Sequence, residues 1–234
     1  GGAARAASWT GMATVVAMHV IAGRFKGTPL ASAPSGTRPT TDRTKEAVFS
    51  HLEAWNMVED SRVLDLFAGT GALGVEALSR GAASLVCVDS SPAAIAAVND
   101  VARRIRARMR STDRADIHAV RSPVERYLRS AVSERFDVVF IDPPYDYPTA
   151  HCEELLATLA DHRMLPPEGI IVLERSTRSV MPRDDDRWNL VDRRTYGETA
   201  VLYYEITGDH GTVGNDGLIA NGGLAEHGET TEHA

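Results

Sequence analysis

Short apolar runs alternate with helix-like segments along most of this chain, and that alternation restricts the fold more than any other feature. The runs predicted to be strands are Arg62–Phe67, Ser84–Val88, Ile117–Val120, Phe136–Ile141, Gly169–Glu174, Trp188–Thr195 and Thr199–Ile206. The segments predicted to be helices between them are Ala72–Arg80, Pro92–Arg108, Val124–Ser133 and His151–His162. Regular strand–helix alternation predicts an α/β fold, here a seven-stranded mixed, mostly parallel sheet of Rossmann-like type with helices on both faces. In such a sheet, ligands bind beyond the carboxyl ends of the strands.

The remaining segments divide the chain into four predicted parts. Residues 1–18 are read as a disordered or vector-derived leader, and residues 19–57 as an extension with a small hairpin and a helix at Thr41–Trp55. Residues 58–207 form the main ligand-binding domain. Residues 208–234 are rich in glycine and acids and poor in large apolar groups, so they are predicted to be a disordered tail.

Charge and cysteine content narrow the class of protein. The net charge is −7, but five acids of the predicted tail account for most of it. Basic residues cluster at 21–45 and at 103–114, so local phosphate binding is compatible with the acidic sum. Two cysteines are too few for a disulfide framework, and no apolar run reaches the ~20 residues of a membrane span. We expect a cytoplasmic protein without a metal site, since the histidines lack ligand spacing.

A glycine-rich loop follows the first predicted strand. Gly69, Gly71 and Gly74 form a G-x-G-x-x-G pattern, which allows a tight turn and close approach of a ligand to the backbone. A dinucleotide would place its pyrophosphate there, whereas S-adenosylmethionine would place its amino-acid part there. The acid just before the glycines, Asp65, suits an ammonium group better than a pyrophosphate.

A second acid, Asp89, follows the next predicted strand, about 20 residues after the glycines. A carboxylate at that position can accept hydrogen bonds from both ribose hydroxyls. The alternative is that Asp89 only caps the helix that begins near Pro92. Ribose binding would not separate a nicotinamide cofactor from S-adenosylmethionine, since both contain adenosine.

The stretch DVVFIDPPY, residues 137–145, favours S-adenosylmethionine over a nicotinamide cofactor. Two prolines end an apolar strand and hold a rigid turn. The Asp142 carboxylate and the Pro143 carbonyl can accept both N–H bonds of a ring amine, which turns its lone pair toward a methyl donor. Pro144 stiffens the turn, and the Tyr145 ring can stack on a base. These four residues are the predicted catalytic set.

The motifs LDLFAGTGALGVEALSRGA, VCVDSS and DVVFIDPPY, preceded by IAGRFKGTPL and GTRPTTDRTKEAVFSHL, resemble the bacterial 16S rRNA guanine-N2 methyltransferases of the RsmD type. The resemblance covers about Val20 to Ile206, and the block from Arg38 to Arg43 narrows it to RsmD. It implies S-adenosylmethionine as cofactor, methylation of a guanine N2 in 16S rRNA within a small-subunit particle, and a monomer.

The resemblance also implies site residues. Those expected to bind the cofactor are Thr40, Asp65, Phe67, Ala68, Gly69, Thr70, Gly71, Asp89, Ser90, Ser122, Val124 and Asp142. Those expected to bind RNA phosphates are Arg24, Lys26, Arg38, Arg43 and Lys45. Relatives often hold the adenine amine with an acid or amide after the third strand. This chain has Ser122-Pro123 there, so the Ser122 hydroxyl or nearby backbone takes that part.

Other functions share some of these motifs. D-P-P-Y also occurs in DNA adenine-N6 methyltransferases, and a related N-P-P-Y serves protein glutamine methylation. An NAD-dependent dehydrogenase could use the glycine loop and Asp89 without needing D-P-P-Y. A chain that binds cofactor and RNA without turnover, as an assembly checkpoint, could dispense with Asp142 and Tyr145, and both are present.

Overall fold

A computed structural model describes residues 18–32, 41–111, 113–131 and 133–207. The helices are α1 (Asp42–Ala54), α2 (Ala72–Ser79), α3 (Pro92–Arg108), α4 (Val124–Ser130) and α5 (Thr149–Asp161). The strands are β1 (Arg62–Leu66), β2 (Ser84–Asp89), β3 (Asp116–Arg121), β4 (Val138–Ile141), β5 (Ile170–Ser176), β6 (Trp188–Tyr196) and β7 (Thr199–Ile206). The largest difference from the predicted bounds is at α4, which ends three residues earlier than predicted. The predicted tail and residues 1–17 of the predicted leader lie outside the described residues.

The seven strands form one sheet in the order β3-β2-β1-β4-β5-β7-β6. The first five strands in this order run parallel to one another, and β7 enters antiparallel between β5 and β6. The predicted mixed, mostly parallel α/β sheet is therefore confirmed. The order reverses direction at β1 and β4, where the chain leaves the first half of the sheet for the second, and such a switch point is where ligands bind in open α/β sheets.

Helices cover both faces of the sheet through two apolar clusters. One cluster contains buried side chains of α1, α2 and α3, and includes the predicted α1 stripe of Val48, Phe49 and Leu52. The other contains side chains of α4 and α5 packed on the opposite face. Among the described residues, no helix is both long and apolar enough to cross a bilayer.

The N-terminal segment is fixed to the sheet domain by polar contacts. His19 forms an antiparallel bridge with Pro29, close to the predicted hairpin. The Arg24 guanidinium donates to the carbonyls of Leu78 and Ala82, where α2 ends, at 3.0 and 3.2 Å. Arg24 is exposed although its guanidinium is engaged with these carbonyls, so its expected contact with an RNA phosphate stays a prediction.

A buried carboxylate joins this segment to two helices. The Glu76 oxygens accept hydrogen bonds from the backbone N–H groups of Ile21 and Ala22 at 2.8 and 3.0 Å. They also accept from the Arg80 Nε at 2.9 Å and lie 3.7 Å from the Lys45 Nζ. We call these five residues the Glu76 network.

Lys45 is fully buried within this network, and burial lowers its pKa despite the nearby Glu76 charge. The prediction that Lys45 grips an RNA phosphate is therefore wrong for this fold. The sequence pattern misled because α1 turns this basic residue inward, where a buried acid on another helix requires a counter-charge.

Candidate active site

Parallel pairing brings the loops that follow β1, β2 and β4 to one edge of the sheet. Leu66, the last residue of β1, is in register with Val88 on one side and with Ile141 on the other. The glycine loop, Asp89 and the Asp142 turn therefore begin side by side. This confirms the expected common rim.

Two glycines of the loop have different physical reasons to be glycine. Gly69 has φ +55°, and a Cβ there would meet nothing closer than the Phe67 carbonyl oxygen at 4.0 Å, so one face of the loop is open. A Cβ on Gly74 would lie 2.4 Å from Leu85 Cδ1, so Gly74 serves the packing of α2 against the sheet. Gly71 precedes α2, whose first turn has no side-chain cap. A Cβ on Gly71 would lie 3.2 Å from Val98 Cγ2, so this buried glycine faces the core, and the open part of the motif is the turn at Gly69.

Asp65 does not line the open rim directly. Its side chain is buried, and its Oδ2 accepts a hydrogen bond from the Gly74 N–H at 2.9 Å. Burial raises the pKa of Asp65 to about 8; the Gly74 hydrogen bond opposes this rise, while negative charges on Asp142 and Asp89 add to it. The carboxyl group thus supports the glycine loop from beneath and is poised to gain from a positive charge placed above it.

Asp89 bridges its own strand to the glycine loop. Its Oδ2 accepts from the Gly69 N–H at 2.9 Å, and its Oδ1 accepts from the Ser91 N–H at 2.8 Å. The alternative that Asp89 caps α3 is wrong, because the Ser91 hydroxyl accepts the Ala94 N–H and is the cap. Each carboxylate oxygen retains a further lone pair, so ribose hydroxyls remain compatible with these bonds.

The Asp142 turn leaves the sheet directly after β4. Pro143 is buried and Pro144 is exposed, so the first proline anchors the turn and the second faces outward. Tyr145 is 75% exposed, which is unusual for a large ring unless it has a partner to cover. The Tyr147 N–H closes the turn by donating to the Pro144 carbonyl at 2.9 Å. The corner is rigid and open to the outside.

The negative charges of Asp89 and Asp142 act on the buried Asp65 beneath the edge, and we call these three carboxyl groups the rim acids. Neighbouring carboxylates disfavour their own ionisation unless a cation relieves them. S-adenosylmethionine carries a sulfonium and an ammonium group. The rim acids, the open glycine turn and the uncapped start of α2 together fit the charges of that cofactor.

The other residues expected at the cofactor lie around the same rim or outside the described part of the chain. Phe67, Ala68 and Thr70 belong to the glycine loop, and Ser90 is exposed beside Asp89. The Ser122 N–H donates to the Asp89 carbonyl at 3.0 Å, and its hydroxyl donates to the Pro123 carbonyl at 3.0 Å. Val124 is buried at the first position of α4. Thr40 and Arg38 fall outside the described residues.

Of the basic residues expected to bind RNA, three described ones are exposed, namely Arg24, Lys26 and Arg43, and the Arg24 guanidinium is engaged with backbone carbonyls. Two further exposed arginines lie close to the rim and were not predicted. Arg121 ends β3 in register with Asp89, and Arg126 lies in the first turn of α4. The rule that the carboxyl ends of parallel strands meet at one edge would have predicted Arg121, the last residue of β3, at the rim, but it does not reach Arg126.

Sequence reasoning also missed Tyr147, Glu125 and Arg175. The Tyr147 hydroxyl donates to the Glu125 Oε1 at 2.6 Å, and the Arg175 guanidinium donates to the Tyr147 carbonyl at 2.9 Å. These contacts join residues from three distant segments of the chain. No spacing pattern in the sequence signals them.

The strand order, the antiparallel β7 and the glycine loop beside a D-P-P-Y corner define a class I S-adenosylmethionine-dependent methyltransferase fold. Comparison with known proteins then identifies the family. The model of the family described as "Conserved hypothetical protein 95" matches residues 18–205, and the chain belongs to this family, that of the RsmD-type methyltransferases.

Named relatives and a solved structure agree with this membership. The chain is 35% identical to "Putative rRNA methyltransferase YlbH" of Bacillus subtilis, over 82% of this chain and 100% of that protein. It is 30% identical to "Ribosomal RNA small subunit methyltransferase D" of Escherichia coli K12, over 80% of this chain and 89% of that protein. The solved structure "Putative methyltransferase yhhF from Escherichia coli" superposes with a TM-score of 0.67 at 30% identity, covering 81% of this chain and 97% of that one.

Proposed function

We propose that this protein transfers a methyl group from S-adenosylmethionine to the exocyclic N2 amine of a guanine in small-subunit rRNA. Family membership and the names of its relatives support rRNA methylation. The single observation that carries the chemistry is the open Asp142 corner, which begins beside the glycine loop on one sheet edge. The choice of guanine as the base, of N2 as the methylated atom and of a small-subunit particle as the substrate is proposed beyond what the names of the relatives state.

The rim residues hold and orient the methyl donor. S-adenosylmethionine supplies an electrophilic methyl group on a positively charged sulfur. The turn at Gly69–Gly71 presents backbone to its amino-acid part, and Asp65 beneath it becomes negatively charged when the positively charged donor lowers its pKa. Asp89 accepts from its ribose, and the Ser122–Val124 segment borders its adenine. These residues act mainly by positioning, which lowers the entropy cost of bringing donor and acceptor together.

The Asp142 corner aligns the amine. The Asp142 carboxylate and the Pro143 carbonyl accept its two N–H bonds, so the nitrogen lone pair turns out of conjugation and toward the methyl group. The exposed Tyr145 ring stacks on the flipped base. The new N–C bond forms as the S–C bond breaks. The amine becomes acidic as it is methylated, so its proton leaves to Asp142 or to water.

Exposed cations would hold the RNA around the flipped base. Lys26, Arg43, Arg121 and Arg126 are exposed and form the candidate phosphate contacts, together with Arg38. A protein-bearing small-subunit particle is the proposed substrate, and the protein is proposed to act as a monomer. Arg121 and Arg126 lie at the rim, whereas Lys26 lies beside the end of α3, where Arg108 donates to the Lys26 carbonyl at 3.3 Å. Local basic residues of this kind are compatible with RNA binding by an otherwise acidic protein.

One experiment tests the substrate. The protein is incubated with methyl-labelled cofactor and small ribosomal subunits from a strain that lacks it, and the labelled nucleotide is then mapped. The expected result is a single N2-methylguanine. Labelled adenine, labelled DNA or labelled protein would replace the proposal by one of the alternative methyl transfers.

A second experiment tests the corner. In a single-turnover assay, Asp142→Ala should lower the methyl-transfer rate by at least ~100-fold, since it removes one of the two acceptors that align the amine. Calorimetry with S-adenosylhomocysteine should still show binding. NADH serves as the comparison ligand, and its binding in place of S-adenosylhomocysteine would favour a dehydrogenase.

A further inference from the structure

Tyr147 contacts every loop of the candidate site except the one after β2. Its N–H closes the D-P-P-Y turn by donating to Pro144, and its ring meets the edge of the Phe67 ring with centroids 5.0 Å apart. Its hydroxyl donates to Glu125 at 2.6 Å, and its carbonyl accepts from Arg175 at 2.9 Å. One half-buried residue thus joins the amine corner, the glycine loop, the start of α4 and β5.

The contact with Phe67 concerns a strained residue. Phe67 has φ +59°, in the left-handed region that a bulky side chain rarely adopts. Such a conformation costs about 1–3 kcal/mol and persists only where surrounding contacts hold it. Phe67 opens the glycine loop, so its backbone conformation sets the direction in which Ala68 and Gly69 continue. The Tyr147 ring is the aromatic contact recorded for Phe67 among the described residues.

The contact with Glu125 holds a second loop. Glu125 lies in the first turn of α4, one residue after Val124 and three after Ser122. These are the residues proposed to border the cofactor's adenine. Burial raises the pKa of Tyr147 and the hydrogen bond to Glu125 raises it further, so the hydroxyl remains a donor throughout the working pH range. A phenol–carboxylate bond of 2.6 Å is charge-assisted and among the stronger kinds of hydrogen bond.

Arg175 makes Tyr147 a fixed support rather than a mobile one. Arg175 is buried within β5, the strand next to β4, and its guanidinium contacts the Tyr147 carbonyl. The Tyr147 backbone is thereby tied to the sheet. A side chain attached to a fixed backbone can transmit position between the two loops that it touches.

We propose that Tyr147 is a positioning residue that couples the amine corner to the two loops that hold the cofactor. The inference rests on the proposed function for the identity of the cofactor, but the coupling itself is a property of the chain. Tyr147 keeps Phe67 and α4 in the binding-competent arrangement before the cofactor arrives. Removing its contacts lowers the population of that arrangement, and apparent affinity falls by the same factor.

The test compares Tyr147→Phe with Tyr127→Phe, a matched loss of a hydroxyl on a half-buried tyrosine of α4. Tyr147→Phe should weaken S-adenosylhomocysteine binding about five-fold, from the loss of one charge-assisted hydrogen bond. It should raise the KM for the methyl donor to the same extent and leave the KM for RNA and kcat within about two-fold. Tyr127→Phe should leave all of these unchanged. Equal effects of the two variants would overturn the proposal.

A double-mutant cycle with Glu125→Ala isolates the bond. Because the two groups share one hydrogen bond, the double variant should bind no more weakly than Glu125→Ala alone. Additive losses would show that Tyr147 acts by some other route. The change in helix stability caused by removing an acid from the first turn of α4 enters both arms of the cycle and cancels.

A measurement without ligand separates this proposal from the proposed function. Hydrogen exchange of the Gly69 and Gly71 amides, both hydrogen-bonded in the loop, should quicken several-fold in Tyr147→Leu, which removes the ring contact with Phe67. Amides of the β6–β7 pair should keep their wild-type rates. Unchanged exchange in the loop would overturn the coupling even if S-adenosylhomocysteine binds. Failure of the wild-type protein to bind S-adenosylhomocysteine would instead overturn the proposed function.

Discussion

Asp65 and Glu76 are both buried carboxylates, eleven residues apart, yet their surroundings are opposite. Glu76 is met by Lys45, Arg80 and two backbone N–H groups. Asp65 receives one N–H, from Gly74, and the charges that act on its pKa are the other two rim acids. The carboxylate of Glu76 is paired with cations of the fold. The carboxyl group of Asp65 is mostly protonated at neutral pH, and a bound cation would stabilise its charged form.

The difference shows which buried carboxyl group meets cations of the chain itself and which does not. A buried charge without a partner costs several kcal/mol, so evolution of a stable fold alone would pair or remove it. The Glu76 network obeys that rule and fixes the N-terminal segment to α1 and α2. Asp65 breaks it beneath the edge where a parallel sheet binds ligands. The contrast is consistent with one region built for stability and another for a cationic ligand.

The largest expected effect comes from breaking the Glu76 network. Glu76→Ala leaves the buried Lys45 with the exposed Asp42, 3.8 Å away, as its remaining acidic partner, and it frees two N–H groups. We therefore expect the free energy of unfolding to fall by about 3–5 kcal/mol. Chemical denaturation at neutral pH measures it. The matched control is Glu46→Ala, which removes an exposed partner of Arg80 and should cost about 1 kcal/mol or less. Similar losses for the two variants would contradict the comparison.

The next largest effect is a gain in the free energy of unfolding, expected when Asp65 is replaced by asparagine. In the folded protein its pKa is about 8, whereas in the unfolded chain it is near 3.9. Between these values the folded state binds more protons, so wild-type stability falls as the pH rises toward 8, and no further loss follows above it. Asp65→Asn does not titrate.

The measurement for Asp65 is therefore the free energy of unfolding as a function of pH, compared between wild type and Asp65→Asn. From about pH 6 to pH 8 the variant should gain about 2 kcal/mol of unfolding free energy relative to wild type. Its affinity for S-adenosylmethionine should fall, since the negative charge is lost. A variant that is less stable than wild type at about pH 8 would show that Asp65 is a structural acid like Glu76.

Much of the fold follows from the sequence, because strand–helix alternation and the glycine and proline signals are local. The sheet class, the common rim and the buried stripe of α1 were predicted from such signals. Local signals do not tell which partner a charged side chain meets across the sheet. Arg24, Lys26, Arg43 and Lys45 lie in one basic cluster of the sequence. The fold buries Lys45 and engages the exposed Arg24 guanidinium with backbone carbonyls, whereas Lys26 and Arg43 are exposed. Tyr147 was missed for the same reason, since its partners lie 22 and 28 residues away.

A smaller effect, the release of a proton on cofactor binding, tests whether a bound cation stabilises the charged form of Asp65. At about pH 7 Asp65 is mostly protonated in the free protein, and a bound positive charge lowers its pKa. Binding of S-adenosylmethionine should therefore release up to about one proton, measured by calorimetry in two buffers with different ionisation enthalpies. S-adenosylhomocysteine, which lacks the sulfonium charge, should release less. Asp65→Asn should abolish the difference between the two ligands, and its persistence would assign the proton to another group.

The smallest effect extends the same comparison to the basic residues. The exposed Arg24 guanidinium is engaged with backbone carbonyls at the end of α2 and so serves the fold, as the Glu76 network does. Lys26 and Arg43 are also exposed. If the exposed pair contacts RNA phosphates, Lys26→Ala and Arg43→Ala should each lower affinity several-fold and reduce the slope of log K against log salt by about 0.7–0.9. Arg24→Ala should lower thermal stability and leave that slope unchanged, because a guanidinium bonded to the end of α2 releases no counterions when RNA binds. A reduced slope for Arg24→Ala with wild-type stability would place Arg24 on the RNA surface instead.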